Sequence, residues 1–383
     1  MRKLAKLSLV AAVAVAGLTN VNAASLEEAI KGVDVSGQFR YRFQEKKVEN
    51  ESNLAGNNNE TGSDVEIEVT AKIPVTENVT AVIKVDNVND DSDANISKGS
   101  VDIEDYYFSY NAGAVTVNAG QQNIPGRMTD GAEGDGIVAL YNMGAFTVGA
   151  AGFANHDVEN TNLNGTEFDH KGLVSAIAMG NVGPVSVLAQ YASVLDTMDS
   201  YNIKADANFD MVKAGVEFTA SDLDENAKNT INTVNGTTYG SDDRSTLKAY
   251  VSGNVGIVSA SLTYAKTGDN GSGSIDSQLT QEGLETPAEY LLWNLGTSNN
   301  ADMDLYAIDA SVAITPKLSL RAAYAAGEIG NLAGNDVEEV LGQISYKVSK
   351  NLNTYVRYAE FDTSSTSDNN DGQRGRVEIK YTF

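Results

Sequence analysis

The last ten residues of the chain, 374–383, alternate between apolar and polar side chains and end on an aromatic residue. A period of two places the two kinds of side chain on opposite faces of an extended strand. The apolar face carries Val377, Ile379, Tyr381 and Phe383, and the polar face carries Arg376, Glu378, Lys380 and Thr382. One face of this strand suits lipid, and the other suits water.

The same period recurs along most of the chain. In residues 33–43 the polar face includes Arg40 and Arg42. On a lipid-facing surface near the bilayer midplane each arginine would cost about 2–4 kcal/mol, so this face predicts a wet interior. Comparable segments bring the predicted strands to about 18. They are residues 33–43, 64–73, 79–87, 101–110, 115–121, 136–141, 146–155, 173–179, 185–194, 201–208, 211–220, 247–253, 257–266, 304–314, 318–326, 337–348, 352–361 and 374–383.

Short and long connections alternate between these strands. The short ones are Asn- and Gly-containing turns such as residues 142–144, which suit tight hairpins. Outer-membrane barrels keep short turns toward the periplasm and long loops outside, whereas soluble sandwiches follow no such rule. We therefore predict an all-β fold, a transmembrane antiparallel β-barrel of about 18 strands with short periplasmic turns and long external loops. The long connections are residues 50–63, 88–100, 156–171, 221–245 and 268–303.

The last of these long connections contains the sole tryptophan of the chain, Trp293. We predict that residues 287–293 form a helical turn that packs on the barrel rim or on a neighbouring subunit. The other long loops are expected to form a solvated surface.

The beginning of the chain indicates the compartment. Arg2, Lys3 and Lys6 precede an apolar run over residues 7–18, and small residues follow around position 23. This pattern predicts a secretory signal peptide at residues 1–23 and a barrel domain at residues 24–383. The apolar run is shorter than the roughly 20 residues that a membrane-spanning helix needs. The absence of Cys fits an exported protein that needs no disulfides.

Composition excludes one class of partner. The formal net charge is −25, and removal of the three leader cations makes it about −28. Nucleic acid is therefore not an expected partner, because binding a phosphate backbone needs a basic face. The hydrophobic content of 42% does not separate soluble from membrane proteins, since a barrel needs apolar residues at every second position only.

Residues 26–43 read Leu-Glu-Glu-Ala-Ile-Lys-Gly-Val-Asp-Val-Ser-Gly-Gln-Phe-Arg-Tyr-Arg-Phe, behind a leader with the run Lys-Leu-Ser-Leu-Val-Ala-Ala. This beginning resembles that of the Campylobacter-type major outer membrane porins. The resemblance implies a trimeric general-diffusion porin in the outer membrane of a Gram-negative type bacterium, with a preference for cations. Its partners would be outer-membrane lipids, small solutes and ions, and other copies of the chain. The terminal strand likewise resembles the closing strand of outer-membrane barrels, in which Tyr381 and Phe383 would be read by the assembly machinery.

The connection over residues 121–136 is the candidate pore constriction. It carries Arg127, Asp130, Glu133 and Asp135. In general-diffusion porins the third external loop folds into the lumen, and the resemblance implies the same here, with the three acids facing the water path. The alternative is that this segment stays outside as another acidic loop.

The candidate pore wall is basic where the first and last strands meet. Closure of the barrel would bring together five side chains of inward parity: Arg40, Arg42, Arg357, Arg376 and Lys380. Facing the loop acids, they would set a transverse field across the pore. The alternative, compatible with the first, is that Arg40 and Arg42 pair with Glu66 and Glu68 on the second strand.

Catalytic and cofactor chemistry has little support in the sequence. His156 and His170 share one loop without a nucleophile motif, and we predict no enzyme activity and no cofactor. Residues 89–93 are acidic enough for calcium, but the glycine and distal glutamate of an EF-hand loop are missing, so metal binding stays open. A non-conducting adhesin barrel and an outer-membrane barrel enzyme are the alternatives to a porin.

Overall fold

The structure is a computed structural model that describes residues 32–50, 58–91, 101–127, 132–158, 162–163, 166–167, 171–229, 244–271, 292–297, 301–330, 336–363 and 370–383. The predicted signal peptide and the short segment after it lie outside these residues. Among the described residues, no helix is both long enough and apolar enough to span a bilayer.

Eighteen antiparallel strands form one closed sheet. Each strand pairs with the next along the chain, and β1 pairs with both β2 and β20, which closes the barrel. The two-residue strands β8 and β9 form a separate hairpin, and a short helix covers residues 225–229. The strand bounds are β1 Asp34–Asn50, β2 Asn58–Pro74, β3 Val79–Asp91, β4 Asp102–Ala112, β5 Val115–Asn123, β6 Glu133–Asn142, β7 Phe146–His156, β8 Asn162–Leu163, β9 Thr166–Glu167, β10 Leu173–Val182, β11 Val185–Val194, β12 Met198–Phe209, β13 Val212–Leu223, β14 Arg244–Val255, β15 Val258–Thr267, β16 Met303–Ala313, β17 Leu318–Ile329, β18 Asp336–Lys347, β19 Leu352–Thr363 and β20 Asn370–Thr382.

The two faces of the sheet differ as the alternation predicts. On β1 the outward side chains of Phe39 and Phe43 are 46% and 44% exposed, whereas Arg40 and Arg42 point into the barrel. Aromatic and aliphatic side chains of the other strands continue this outward apolar band. The predicted all-β fold class and the strand number are thereby confirmed.

The hairpin ends also follow the predicted plan. Two-residue turns join β4 to β5, β10 to β11 and β14 to β15. Each contains a glycine in the left-handed region, with φ of 58° at Gly113, 59° at Gly183 and 61° at Gly256. A residue with a Cβ pays a steric penalty at such φ values, which is why glycine marks these turns.

The strands run further into the loops than the alternation indicates. β1 continues to Asn50 and β2 begins at Asn58, where the residues are polar on both faces. Main-chain hydrogen bonds between strands need no apolar side chains, so the pairing of β1 with β2 continues through these polar residues. One connection at the long-loop end, residues 195–197 between β11 and β12, is short.

The barrel interior is not uniformly polar. Two clusters of buried apolar side chains lie inside the sheet, and segments of the external connections pack against both. The first comprises Ile124, Val138, Phe153, Val158, Leu173, Ala192, Val194, Met198, Leu223 and Ala227. The second comprises Leu292, Leu295, Met303, Leu305, Ala307, Ala323, Ala325, Ile329, Val337, Leu341 and Ala359.

Candidate pore wall and luminal segments

The closing strands bring the five predicted wall cations onto β1, β19 and β20. In the register, Lys380 lies opposite Arg40, and Arg376 lies opposite Arg357. Arg42 lies opposite Glu378, and its Nε atom donates to Glu378 Oε2 at 2.6 Å. Glu378 was not among the predicted wall residues, although it shares the parity of Arg376 and Lys380.

The pairing with the second strand is present as well, but only in part. Arg40 forms an ion pair with Glu66, and Asp64 lies 3.6 Å from both Arg40 and Arg42. Glu68 binds Lys84 instead, with Nζ 3.2 Å from its Oε2. The expectation that Glu68 pairs with an arginine of β1 is therefore wrong, because Glu68 forms its ion pair with Lys84 on β3.

Strands β2, β3 and β4 present a second, acidic part of the wall. Lys84 bridges Glu68 and Glu104, with Nζ 2.6 Å from Glu104 Oε2. The register shift between Lys84 and Val85 leaves Glu104 as an extra residue that binds Lys84, although a strict period of two would place it on the outward face with Tyr106 and Phe108. We call this group the acidic wall: Asp64, Glu66, Glu68, Asp86, Glu104 and Asp105.

The β5–β6 connection contacts strands on another part of the barrel. Gln190 on β11 donates to the Pro125 carbonyl at 3.0 Å and accepts the Arg127 backbone N–H at 2.8 Å. The Arg127 guanidinium donates to both carboxylate oxygens of Glu217 on β13, at 3.1 and 3.0 Å. Gly126 has a φ of 131°, which residues with a Cβ rarely adopt, and a Cβ there would also overlap the Gln190 amide, so glycine suits this approach.

Glu217 is prepared for this contact. Its side chain is 4% exposed and, besides the two hydrogen bonds from Arg127, accepts a third from Asn202 Nδ2 at 2.9 Å. A buried carboxylate needs a partner of opposite charge, and Arg127 supplies it. Sequence reasoning missed Gln190 and Glu217, because no local pattern shows which strands a loop will meet.

The three predicted loop acids do not share one position. Asp130 lies outside the described residues. Glu133 opens β6 and accepts a hydrogen bond from Gln121 Nε2 at 3.1 Å. Its backbone N–H donates to Asp157 Oδ1 at 2.5 Å, and its carbonyl accepts the Asp157 backbone N–H at 3.0 Å. Burial raises the pKa of Asp157. Asp135 is exposed and has the strand parity of Ile137, which is 57% exposed on the outward side. The expectation that all three face the water path is therefore corrected for Asp135.

Residues 292–297 of the β15–β16 connection fold against the inner face of β18. The carboxylate of Glu339 accepts backbone N–H groups of Trp293, Asn294 and Leu295 at 3.1, 2.8 and 2.9 Å. Asn294 Nδ2 donates to the same carboxylate at 3.0 Å, and Glu339 is 0% exposed. The helical turn was predicted for residues 287–293, of which 287–291 lie outside the described residues. The expected packing on the rim or on a neighbour is wrong for Trp293, since Glu339 binds its backbone N–H inside the barrel.

Trp293 lies among arginines on the neighbouring strands. The guanidinium carbons of Arg357, Arg374 and Arg376 lie 5.1, 4.6 and 5.1 Å from the centre of its ring. We call these four residues the arginine–tryptophan cluster. The alternation of β20 places Arg374 inward, but sequence analysis left it out of the wall.

The C-terminal residue contributes to the pairing of β20 with β1, which closes the barrel. Gly37 and Phe383 exchange two backbone hydrogen bonds, of 3.1 and 3.0 Å. Tyr381 and Phe383 are outward, 42% and 47% exposed, with ring centres 6.0 Å apart. Their role as an assembly signal stays a prediction.

No described group of three or more His, Asp or Glu side chains is arranged to hold a metal ion. Residues 89–93 lie at the end of β3 and beyond it, where side chains are not described. Of the two histidines, His156 lies 2.8 Å from the Lys171 carbonyl through Nε2, and His170 lies outside the described residues.

The family model described as Campylobacter major outer membrane protein matches residues 2–383. The chain belongs to this family. Membership confirms the resemblance seen in residues 26–43 and covers the whole barrel. No curated protein matches the sequence.

Solved structures share the fold at low sequence identity. OccK9 (OpdG) of Pseudomonas aeruginosa has a TM-score of 0.70 and 12% identity, covering 93% of this chain and 99% of that one. OpdL of the same organism has a TM-score of 0.68 and 11% identity, covering 91% and 99%. OpdK, solved with vanillate, has a TM-score of 0.65 and 14% identity, covering 91% and 98%. Together, the family membership and the barrel fold identify the chain as an outer-membrane porin of the Campylobacter major outer membrane protein family.

Proposed function

We propose that this member of the Campylobacter major outer membrane protein family is a general-diffusion porin that passes small hydrophilic solutes and ions, prefers cations, and is narrowed by its β5–β6 connection. The observation that carries the narrowing is the two-point contact of Arg127 with Glu217. Between β5 and β13 the sheet contains five other strands, β6, β7, β10, β11 and β12. A connection that follows β5 and binds β13 has to pass over the inner face of those strands.

The selectivity follows from how charge is distributed on the inner face. The acidic wall contributes six carboxylates on β2–β4, and Lys84 lies among them as the bridging cation. Arg40 and Arg42 join this wall to the arginines of β19 and β20. Carboxylates along a water path lower the energy of a passing cation and raise that of an anion. The adjacent basic side chains oppose this, so the preference is moderate.

Planar-bilayer recordings of the refolded chain test the proposal. Stepwise openings are expected, and in a salt gradient the reversal potential should take the sign of a cation-preferring pore. The absence of openings in a correctly folded barrel would contradict the porin function. It would favour the non-conducting adhesin, or the barrel enzyme if peptide or lipid substrates were cleaved.

We further propose a homotrimer that is exported by the leader at residues 1–23 and assembled into the outer membrane. The support is the resemblance of residues 26–43 to the beginning of trimeric porins and the pattern of the leader itself. Cross-linking of the native membrane protein should give a trimer band. The amino-terminal sequence of the mature chain should begin at Ala24.

A further inference from the structure

Among the residues that the structure describes, the three arginines of the arginine–tryptophan cluster donate hydrogen bonds only to neutral side-chain acceptors. Arg374 and Arg376 donate to Gln44 Oε1, at 3.2 Å from Arg374 Nη2 and 2.7 Å from Arg376 Nη2. Arg357 Nε donates to Gln343 Oε1 at 2.7 Å. Within the part of the chain that the structure describes, their ion-pair distances to carboxylates all exceed 4.0 Å.

Other arginines of the same wall are neutralised. Arg42 binds Glu378 at 2.6 Å, and Arg321 binds Asp309 through Nε and Nη2 at 2.6 and 2.5 Å. Burial of like charges without a counterion is unfavourable. The indole ring of Trp293 relieves part of this cost through cation–π contacts with the three guanidinium groups. Glu339 and Glu378 are described carboxylates near the cluster, but neither forms an ion pair with these three arginines, so the cluster favours binding of an anion.

A cavity of about 630 Å³ opens onto this cluster. That volume is within the roughly 300–1,000 Å³ of small-molecule sites. Its charged lining is basic except for Glu378, which is already bound to Arg42 and to the Tyr355 hydroxyl at 3.1 Å. The five lining arginines are Arg42, Arg321, Arg357, Arg374 and Arg376.

We propose that this cavity is a binding site for small dicarboxylates inside the pore. The planar guanidinium fork matches a carboxylate with two parallel hydrogen bonds, which a spherical chloride cannot satisfy. Arg374 and Arg376 both donate to Gln44 Oε1 and both lie over the Trp293 ring, so their guanidinium groups are side by side and each can bind one carboxylate of a short dicarboxylate such as succinate. The inference rests on the proposed porin function only for access of the solute from outside.

Trp293 reports on this site directly, because it is the sole tryptophan of the chain. Succinate is titrated into the full-length mature protein in detergent, at constant ionic strength, while tryptophan emission is recorded. A saturable change is expected with succinate and none with the neutral isostere succinamide. A non-saturable change, or the same change with potassium chloride, would overturn the proposal. Inorganic phosphate acting with the same midpoint would overturn the assignment to carboxylates.

Variants connect the response to the cluster. Arg374→Gln and Arg376→Gln should each raise the succinate midpoint roughly tenfold, the loss of about one charge-assisted hydrogen bond. Arg374→Lys, which keeps the charge and changes the fork, should still give a saturable response with a raised midpoint. Lys213→Gln is the matched control, since it removes one cation from the distant strand β13, and its midpoint should stay that of the parent. An equal shift in this control would overturn the site.

The titration separates the two proposals. A barrel that binds succinate but gives no openings in bilayers would contradict the porin function and leave the site standing. Normal openings without a saturable emission change would contradict the site and leave the porin function standing. Correct folding of each variant is verified by heat-modifiable migration on gels.

Discussion

Arg127 in the β5–β6 connection and Glu217 on β13 form a two-point ion pair with N–O distances of 3.1 and 3.0 Å. Glu217 is nearly buried, and Arg127 keeps about a quarter of its side-chain exposure. The pair therefore lies at a boundary between packed protein and water. Such a contact can hold a loop in place while it leaves charge accessible to passing ions.

Glu217→Gln should weaken this attachment and enlarge the pore. The glutamine keeps the size of the side chain but removes the negative charge that Glu217 places against the Arg127 guanidinium, at a cost on the order of 1–3 kcal/mol. Single-channel conductance in planar bilayers should rise, with more frequent fluctuations between levels. Asp309→Asn is the control, because it breaks a similar ion pair, with Arg321, at a different part of the wall. Equal conductance of the two variants would argue against an attached loop.

The barrel could be predicted from the sequence because each strand alternates between apolar side chains that face lipid and polar side chains that face water. Phe39 and Arg40 meet lipid and water on opposite faces of one strand, and no distant residue is needed to see it. No local sequence pattern indicates the contact of Arg127 with Glu217. It depends on the path of a connection past strands far away in the sequence, and on the room that Gly126 leaves beside Gln190.

The cation preference should depend on the acidic wall. Glu68→Gln with Glu104→Gln removes the two carboxylates that bind Lys84 and leaves this ammonium group as an excess positive charge. In a salt gradient the reversal potential should move toward the anion side. The effect should be largest at low salt, because the screening length is about 10 Å at 0.1 M and shrinks as salt rises.

Asp135→Asn is the matched control for that measurement. Asp135 has the outward parity of Ile137, so removal of its charge should leave the reversal potential nearly unchanged. A shift as large as that of the double variant would place Asp135 on the water path after all.

Deletion of Phe383 should impair assembly more than stability. The finished barrel would lose two backbone hydrogen bonds to Gly37 and the ring contact with Tyr381, together about 1–3 kcal/mol. The remaining pairing of β20 with β1 and β19 would still close the sheet. Unassembled protein should accumulate in the periplasm, whereas Phe383→Tyr should assemble normally. Normal surface levels and normal heat-modifiable migration of the deletion variant would contradict the assignment of Phe383 as an assembly signal.

The arginine–tryptophan cluster shows why part of the site was beyond sequence reasoning. The alternation along β20 places Arg374 on the polar face, and this position could be predicted from the sequence. Trp293 lies in a connection without periodicity, and its position follows from the acceptor geometry of Glu339 on a strand 46 residues later. A carboxylate at an inward strand position predicts a wet wall, so nothing marked Glu339 as the buried acceptor for a loop.

Glu339→Gln should release residues 292–297 from the inner face of β18. The buried carboxylate accepts four hydrogen bonds from this segment, three of them from backbone N–H groups. A glutamine amide has one oxygen instead of two and brings its own N–H donors against them, at a cost of about 3 kcal/mol. Emission of the sole tryptophan should shift to the red as Trp293 leaves the arginines and meets water. Glu338→Gln is the matched control, because Glu338 is exposed on the opposite face of the same strand. A red shift of equal size in both variants would show that Glu339 does not hold the segment.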